Sequence, residues 1–231
     1  MDRLRRWLRE FGLSITLLYA LHRLLQAASG GRWRVVPYRF YAQPIGRAGT
    51  PALRPDSTTW IGPLTPGHPL VPALPRPPSV IAARFAAGSR CYAATVKNNF
   101  AGTIWLARGH YDEDEVRCRY QLTDVAASAW DYDVYVAPAF RLGRTMARLW
   151  QHVDTLLAAE GVRWSFSRIS MFNPASIASH ARLGARPVGW AVFLCLGGLQ
   201  LAVASTRPRI DLGLRGRPCY RLHPPPQTSP M

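Results

Sequence analysis

Apolar residues recur at helical spacing from the start of the chain: Leu4, Trp7, Leu8, Phe11, Ile15, Leu18, Leu21 and Leu25. That period predicts an amphipathic helix over residues 1–30, ended by Gly30-Gly31. Arg32 to Ile45 is rich in Val, Tyr and Phe and reads as a strand or two, interrupted by Pro37. Gly46 to Pro78 is dense in proline and glycine without period, which predicts a connection rather than helices. Ser79 to Ala87 suits a short helix with Ser79 as its cap.

The pattern then changes to short β-type runs. Cys91–Val96 and Ala101–Arg108 read as two strands joined by Lys97-Asn98-Asn99, a turn type that joins antiparallel strands. Val116–Leu122 and Asp131–Val136 read as two more. Leu142, Met146, Leu149, Val153, Leu156 and Leu157 form one face of a helix over about Leu142–Glu160, stopped by Gly161. Arg163–Ile169 is a strand, and Asn173 with Pro174 opens another helix closed by Leu183-Gly184. Val188–Val203 is one long strand, or two broken at Gly197-Gly198, and the proline-rich tail from Arg207 is expected to wrap the surface or fray.

Strands that begin as a meander and finish alternating with helices predict an α/β (α+β) chain. Its mixed, mostly antiparallel sheet would be flanked by helices. The expected organisation is a basic helix over 1–30, a strand and connection over 31–78, a domain over 79–205 and a tail over 206–231.

Charge narrows the partners. The 231 residues carry a formal net charge of +16, almost all of it from arginine, since Lys97 is the single lysine. Arginine grips phosphates with a planar fork, although arginine-for-lysine usage also follows genome base composition. A positive field of this size fits acidic partners: anionic headgroups, nucleic acid, coenzyme A phosphates or an acidic carrier protein. Arg3, Arg5, Arg6 and Arg9 crowd the start of the first helix, which suits a helix lying in the headgroup layer of an anionic membrane through residues 1–28. The same stripe could instead pack on the protein's own core. Its uncharged stretch is too short to span hydrocarbon, and Glu10, His22 and Arg23 argue against a cleaved signal.

Cys91, Cys118, Cys195 and Cys219 form no Cys-x-x-Cys or Cys/His ligand pattern, so no metal site is expected. Free thiols in strands suit a reducing compartment, here the cytoplasm with peripheral contact at the inner membrane face. Nucleic-acid motifs are missing, and only the charge would favour that partner.

Two segments carry candidate chemistry. Asp131 to Ala147 runs from a strand through Val136 and Pro138 into an arginine-rich turn that opens a helix. Helix-start amides beside Arg141 and Arg144 make an anion site that would fit a diphosphate. Asn173 to Ala185 is a well-capped helix bearing His180, and a lone helical histidine is more often exposed or core than catalytic.

Together these segments resemble the GNAT superfamily of acyl-CoA N-acyltransferases. The family's cofactor motif, Val-x-Pro-x-(aromatic)-Arg-Gly-x-Gly-x-Gly, is similar to Val136, Pro138, Phe140, Arg141 and the following Leu142-Gly143-Arg144-Thr145-Met146. The second motif, Asn-x-x-Ala-x-x-x-Tyr-x-x-x-Gly-Phe, is matched at Asn173 and Gly184, with Ser176, His180 and Ala185 replacing Ala, Tyr and Phe. Cys91–Val96 and Ala101–Arg108 look like the family's central hairpin, and the resemblance covers about Ser79–Val203. The turn keeps one glycine, Gly143, where the pattern has two at the positions of Arg144 and Met146.

What the resemblance implies is direct transfer of an acetyl or longer acyl group from acyl-CoA to a small-molecule amine. The backbone of Val134, Tyr135 and Val136 would hold the pantetheine arm. Amides and side chains from Arg141, Leu142, Gly143, Arg144, Thr145, Met146 and Ala147 would hold the pyrophosphate. Asn173 would orient the cofactor or a water, and His180 would protonate the leaving thiolate. A carboxylate that some members carry is Arg168 here, so the base must come from elsewhere. Asp131 and Asp133, expected on one face of their strand, are first choices, followed by Glu113 and Glu115. Salt bridges to the many arginines are the competing reading of both pairs. Two alternatives stay open: an acyl-carrier-protein-dependent enzyme like the N-acyl amino acid synthases, and a non-catalytic GNAT-fold protein bound at a membrane.

Overall fold

The computed structural model describes residues 2–46, 53–54 and 56–226, and of residues 2–11 the backbone alone. The chain is mixed α/β, with strands that pair mostly antiparallel and helices beside them. It divides into two compact units, residues 1–43, 110–124 and 166–231 in the first and 44–109 and 125–165 in the second.

The second unit holds β2 (Thr59–Leu64), α2 (Pro78–Ala86), β3 (Arg90–Val96), β4 (Asn99–Ala107), β7 (Ser128–Val136) and α3 (Thr145–Ala159). Its strands lie in the order β7-β4-β3-β2, antiparallel throughout. The β3–β4 turn places Lys97 and Asn98 at φ of 48° and 64°, the left-handed pair that matches strand twist in a two-residue hairpin. Thr145, Leu149, Trp150, Val153 and Leu157 are the buried stripe of α3; the period places Leu149, Val153 and Leu157 there, whereas Leu142 lies ahead of the helix and is exposed. Gly102 permits a close approach. A Cβ there would sit 2.6 Å from the Tyr135 carbonyl oxygen and 3.2 Å from Leu149 Cδ1.

The first unit holds α1 (Asp2–Ser29), β1 (Trp33–Pro44), β5 (His110–Asp112), β6 (Arg119–Leu122), α4 (Pro174–Arg182), β9 (Arg186–Leu196), β10 (Leu199–Ala204), β11 (Ile210–Gly213) and β12 (Cys219–Leu222). Strand β8 (Trp164–Ser170) starts in the second unit and continues in the first. Here β11-β10-β9-β1 run antiparallel, and a small sheet β12-β6-β5 carries the parallel pair β12–β6. Phe40, Tyr120, Phe193 and Tyr220 are all fully buried, with Phe40 and Tyr120 edge to face at 5.2 Å. Rings of this size are the main apolar contribution to such a core.

Several expectations need correction. Pro37 does not interrupt β1: it pairs with Val192, and its carbonyl accepts the Met171 N–H at 2.9 Å. Proline costs a strand only its donor. The proline-dense stretch contains β2, an edge strand where Pro63 is tolerated. Ser79 is not a cap, since α2 begins at Pro78 and no side chain caps it. The expected strand Val116–Leu122 is shorter, Arg119–Leu122, and helix α3 starts three residues later than its apolar period suggests. From Arg207 to residue 226 the tail does more than wrap the surface, and the rest of it lies outside the described residues. The described part adds β11 and β12, and alternation in Cys219–Leu222 buries Tyr220 and Leu222.

Helix α1 is broken at Gly12 (φ 73°). The side chains of Leu4, Trp7, Leu8, Phe11 and the early arginines lie outside the described residues. Beyond the break one face packs on the chain: Tyr19 and His22 meet the Phe172 ring at 5.2 and 5.5 Å, and His22 Nδ1 lies 2.9 Å from the Val35 carbonyl. The other face exposes Leu13, Leu17, Leu21 and Leu24. Among the described residues no helix is long and apolar enough to cross a membrane.

Candidate functional site

Strand β7 is irregular where the candidate chemistry begins. Tyr132 pairs with Trp105 and Tyr135 with Thr103, so Asp133 and Val134 together oppose Ile104. This is a β-bulge, whose extra residue drops out of the ladder and bends the strand. Asp133 takes the left-handed backbone it requires, at φ 48°. Aspartate is among the few residues that tolerate this conformation.

The bulge also parts the two candidate carboxylates, against the expectation that they share a face. Arg84 lies over the rings of Trp105 and Tyr132, 5.3 and 5.0 Å from their centroids, and its Nη1 donates to Asp133 Oδ2 at 2.6 Å. Arg76 Nε donates to the same carboxylate at 2.9 and 3.0 Å. Asp133 is thereby drawn to the side of Tyr132. Burial pushes its pKa up, but the hydrogen bonds from Arg76 and Arg84 outweigh it and hold the carboxyl below its usual value. A carboxylate clamped in this way is a poor base.

Asp131 has a different environment. It is fully buried and accepts the Ser165 hydroxyl at 2.6 Å. Burial raises its pKa to about 7, with the Ser165 bond pulling the other way. A carboxyl poised there can take and release a proton at neutral pH.

Beyond Val136 the chain makes a 3₁₀ turn at Pro138–Phe140 and runs through Arg141, Leu142, Gly143 and Arg144, all exposed, into α3. Arg141 Nε donates to the Val136 carbonyl at 3.1 Å, which folds the turn back on the end of β7. The Gly143 N–H bonds to Phe140 at 3.1 Å. Arg144 occupies the N-cap without a side-chain cap, so Thr145, Met146 and Ala147 present first-turn amides that the helix itself cannot satisfy. Strand, bulge, turn and uncapped helix start all belong to the second unit.

Asn173 and His180 belong to the first unit. Asn173 caps α4 by accepting the Ser176 N–H at 3.1 Å, as the sequence predicts. His180 is buried, and its Nδ1 lies 2.9 Å from the Ser176 carbonyl, which can only accept, so Nδ1 carries the proton. Burial lowers the His180 pKa, with the Ser176 bond opposing it. The imidazolium is therefore scarcer at neutral pH than for an exposed histidine.

The second-choice acids are ion-paired or hydrogen-bonded too. Arg168 binds buried Glu113 through Nε at 2.8 Å and Nη2 at 2.7 Å, and its guanidinium lies 4.5 Å over the Tyr38 ring. The Tyr38 hydroxyl donates to Glu115. Sequence reasoning missed Arg76, Arg84 and Ser165 as partners of the two aspartates. Helical position could have flagged Arg84 as a charge on the apolar side of α2, but nothing local points to Arg76 or Ser165. Among the described residues no group of three or more His, Cys, Asp or Glu is placed to hold a metal.

The chain is similar to solved structures of GNAT-family acetyltransferases. A Novosphingobium aromaticivorans protein described as such is 19% identical over 71% of this chain and 65% of its own, with a TM-score of 0.47. A tandem GNAT protein from the clavulanic acid biosynthesis pathway is 21% identical over 70% of this chain and 54% of its own, TM-score 0.46. An Elizabethkingia anophelis GNAT-family acetyltransferase with acetyl-CoA bound is 17% identical over 46% and 62%, TM-score 0.33. The chain thus spans just under two thirds of the first of these structures and about half of the second. No protein-family model and no curated protein matches it.

Proposed function

We propose that this protein is a GNAT-type N-acyltransferase that passes an acetyl or longer acyl group from acyl-CoA to a small amine. The observation that carries this reading is the continuous run in the second unit of a bulged strand, an arginine-bearing turn and an uncapped helix start. The bulge takes Asp133 and Val134 out of the ladder with β4, and the strand end that follows it, Val134, Tyr135 and Val136, is assigned to the amide groups of a pantetheine arm. First-turn amides of Thr145, Met146 and Ala147, with Gly143 and the exposed Arg141, Leu142 and Arg144 around them, suit a diphosphate.

In the proposed reaction the amine nitrogen attacks the thioester carbonyl, a C–N bond forms and the C–S bond breaks. Asp131, with a pKa of about 7, accepts the proton lost by the amine. Asp133 is assigned a positioning role, because its carboxylate is bound by Arg76 and Arg84. The role that the resemblance gives His180 is to protonate the leaving thiolate. That role needs the imidazolium, a form that burial disfavours. The exposed leucines of α1 and the arginines ahead of them would hold the protein at the inner face of an anionic membrane.

A second reading is a non-catalytic binding protein on the same fold, associated with a membrane. It is favoured by the clamped Asp133 and the neutral His180. Thermal unfolding with acetyl-CoA, then turnover with amine acceptors, separates the two readings.

A further inference from the structure

Antiparallel sheets usually turn one face to the core and a polar face to water. The sheet of the first unit departs from that rule. Its inner rows, such as Phe193–Ala202 and Cys195–Gln200, are buried. The outer rows are apolar as well: Val35–Leu194–Leu201–Leu212 in one and Pro37–Val192–Val203–Ile210 in the next. Exposure grows along each row towards the edge strand. Val35 is 2% exposed and Leu212 65%, while Val203 is 38% and Ile210 69%. Trp33, Leu196 and Leu199 continue the face at one end, and Leu214, just past β11, is also exposed.

An uncovered apolar surface of this extent marks a contact site. Its surroundings specify the partner. Exposed Arg207 and Arg209 stand at the turn that leads into Ile210, and exposed Arg32 and Arg215 flank the opposite ends of β1 and β11. Asp211, the acid on β11, lies in the alternate row opposite Ala202. An apolar face between two sets of arginines matches the layering of an anionic bilayer, acyl chains inside and phosphates at the level of the cations. A second copy of the chain would bring the same +16 charge to the contact and be repelled.

We infer that the outer face of β9, β10 and β11 docks on an anionic phospholipid bilayer, through Ile210, Leu212 and Leu214 with Arg207, Arg209 and Arg215 at the headgroups. This extends the membrane reading of α1 to a surface that the amphipathic helix does not contain.

The test is co-flotation of the full chain with vesicles of phosphatidylcholine alone and of phosphatidylcholine with phosphatidylglycerol. The parent should bind the phosphatidylglycerol vesicles selectively. The double variant Ile210→Ser, Leu212→Ser should bind them at least about tenfold more weakly, because each substitution removes most of a side chain's apolar transfer term. Its circular dichroism and unfolding midpoint should match the parent, since both residues are largely exposed. Undiminished binding of that variant would overturn the inference, as would equal binding of the parent to neutral vesicles. A concentration-dependent dimer in sedimentation equilibrium that the double variant abolishes would also overturn it, assigning the face to a second copy. Leu13→Ser, Leu17→Ser on α1 separates the two readings. If it alone loses binding, the helix contact stands and the sheet inference fails; if the parent itself does not bind, both fail.

Discussion

Arg84 holds Asp133 at 2.6 Å, and Asp133 is the residue at which β7 turns left-handed to form its bulge. The side chain of one helix thus secures the backbone of the strand proposed to receive the acyl donor. Both side chains are nearly buried, 6% and 11% exposed, so the pair is little screened by solvent. Arg84→Met should cost about 1.5–3 kcal/mol, the range for a hydrogen bond to a charged group, because Arg76 still pairs the Asp133 carboxylate. Urea unfolding measures it. Asp133→Asn keeps tolerance of positive φ while removing the charge, and should destabilise the chain while preserving the bulge.

Asp131 should impose a pH dependence on stability. Its carboxyl titrates near 3.8 when the chain is unfolded and near 7 when it is folded. Between those values the native state binds the extra proton, so stability falls as pH rises from about 4 and levels off above 7. Asp131→Asn removes the group, and stability measured by denaturant at pH 5 and pH 8 should then differ less than in the parent, by on the order of a few kcal/mol. If Asp131 is also the base, the parent's acyl-transfer rate should rise with pH through about 7 and that of Asp131→Asn should be low and flat.

His180 gives the opposite sign. Its folded pKa lies below the ordinary histidine value of 6.5, so its contribution to stability is present above 6.5 and is lost as pH falls and the unfolded state takes up the proton. Replacing it by Phe should flatten stability across that window. If it is also the acid, kcat should fall about 10²–10⁴-fold with KM nearly unchanged. His180→Tyr should recover part of the rate.

Gly102 should not tolerate even a methyl group. Gly102→Ala places Cβ against the Tyr135 carbonyl, a backbone atom that cannot move aside as a side-chain tip would. Overpacking of this kind costs about 1–3 kcal/mol. The displaced strand is β7, so acyl-CoA affinity should weaken along with stability, which calorimetry of binding and unfolding would register together.

Much of the architecture is legible in the sequence because it is periodic. The stripe from Leu149 to Leu157, the Asn173-Pro174 helix start and the Lys97-Asn98 turn are local signals, and local backbone chemistry decides them. Strand β2 and the tail strands β11 and β12 are obscured by proline and glycine; β11 pairs with its neighbour β10 across a proline-bearing turn, and β12 pairs with β6, far earlier in the chain. The Asp133 bulge leaves no mark at all. It follows from the pairing register with β4 and from arginines 49 and 57 residues away, and it reverses the period-two inference that would place Asp131 and Asp133 together. The first helix shows why a stripe cannot name its partner: Tyr19 and His22 pack inward while Leu17 and Leu24 face out.

The central claim is that the turn from Arg141 to Ala147 receives the diphosphate of an acyl-CoA. Thermal unfolding of the purified chain with acetyl-CoA, with a long-chain acyl-CoA and with neither tests it most directly. A ligand that binds only the folded state, at a hundredfold excess over its dissociation constant, stabilises it by about 2.7 kcal/mol. The midpoint should rise with one of the two ligands, and the rise should be lost in Arg144→Glu, whose exposed side chain leaves the unliganded fold intact. No shift with either ligand, or a shift that survives Arg144→Glu undiminished, would contradict it.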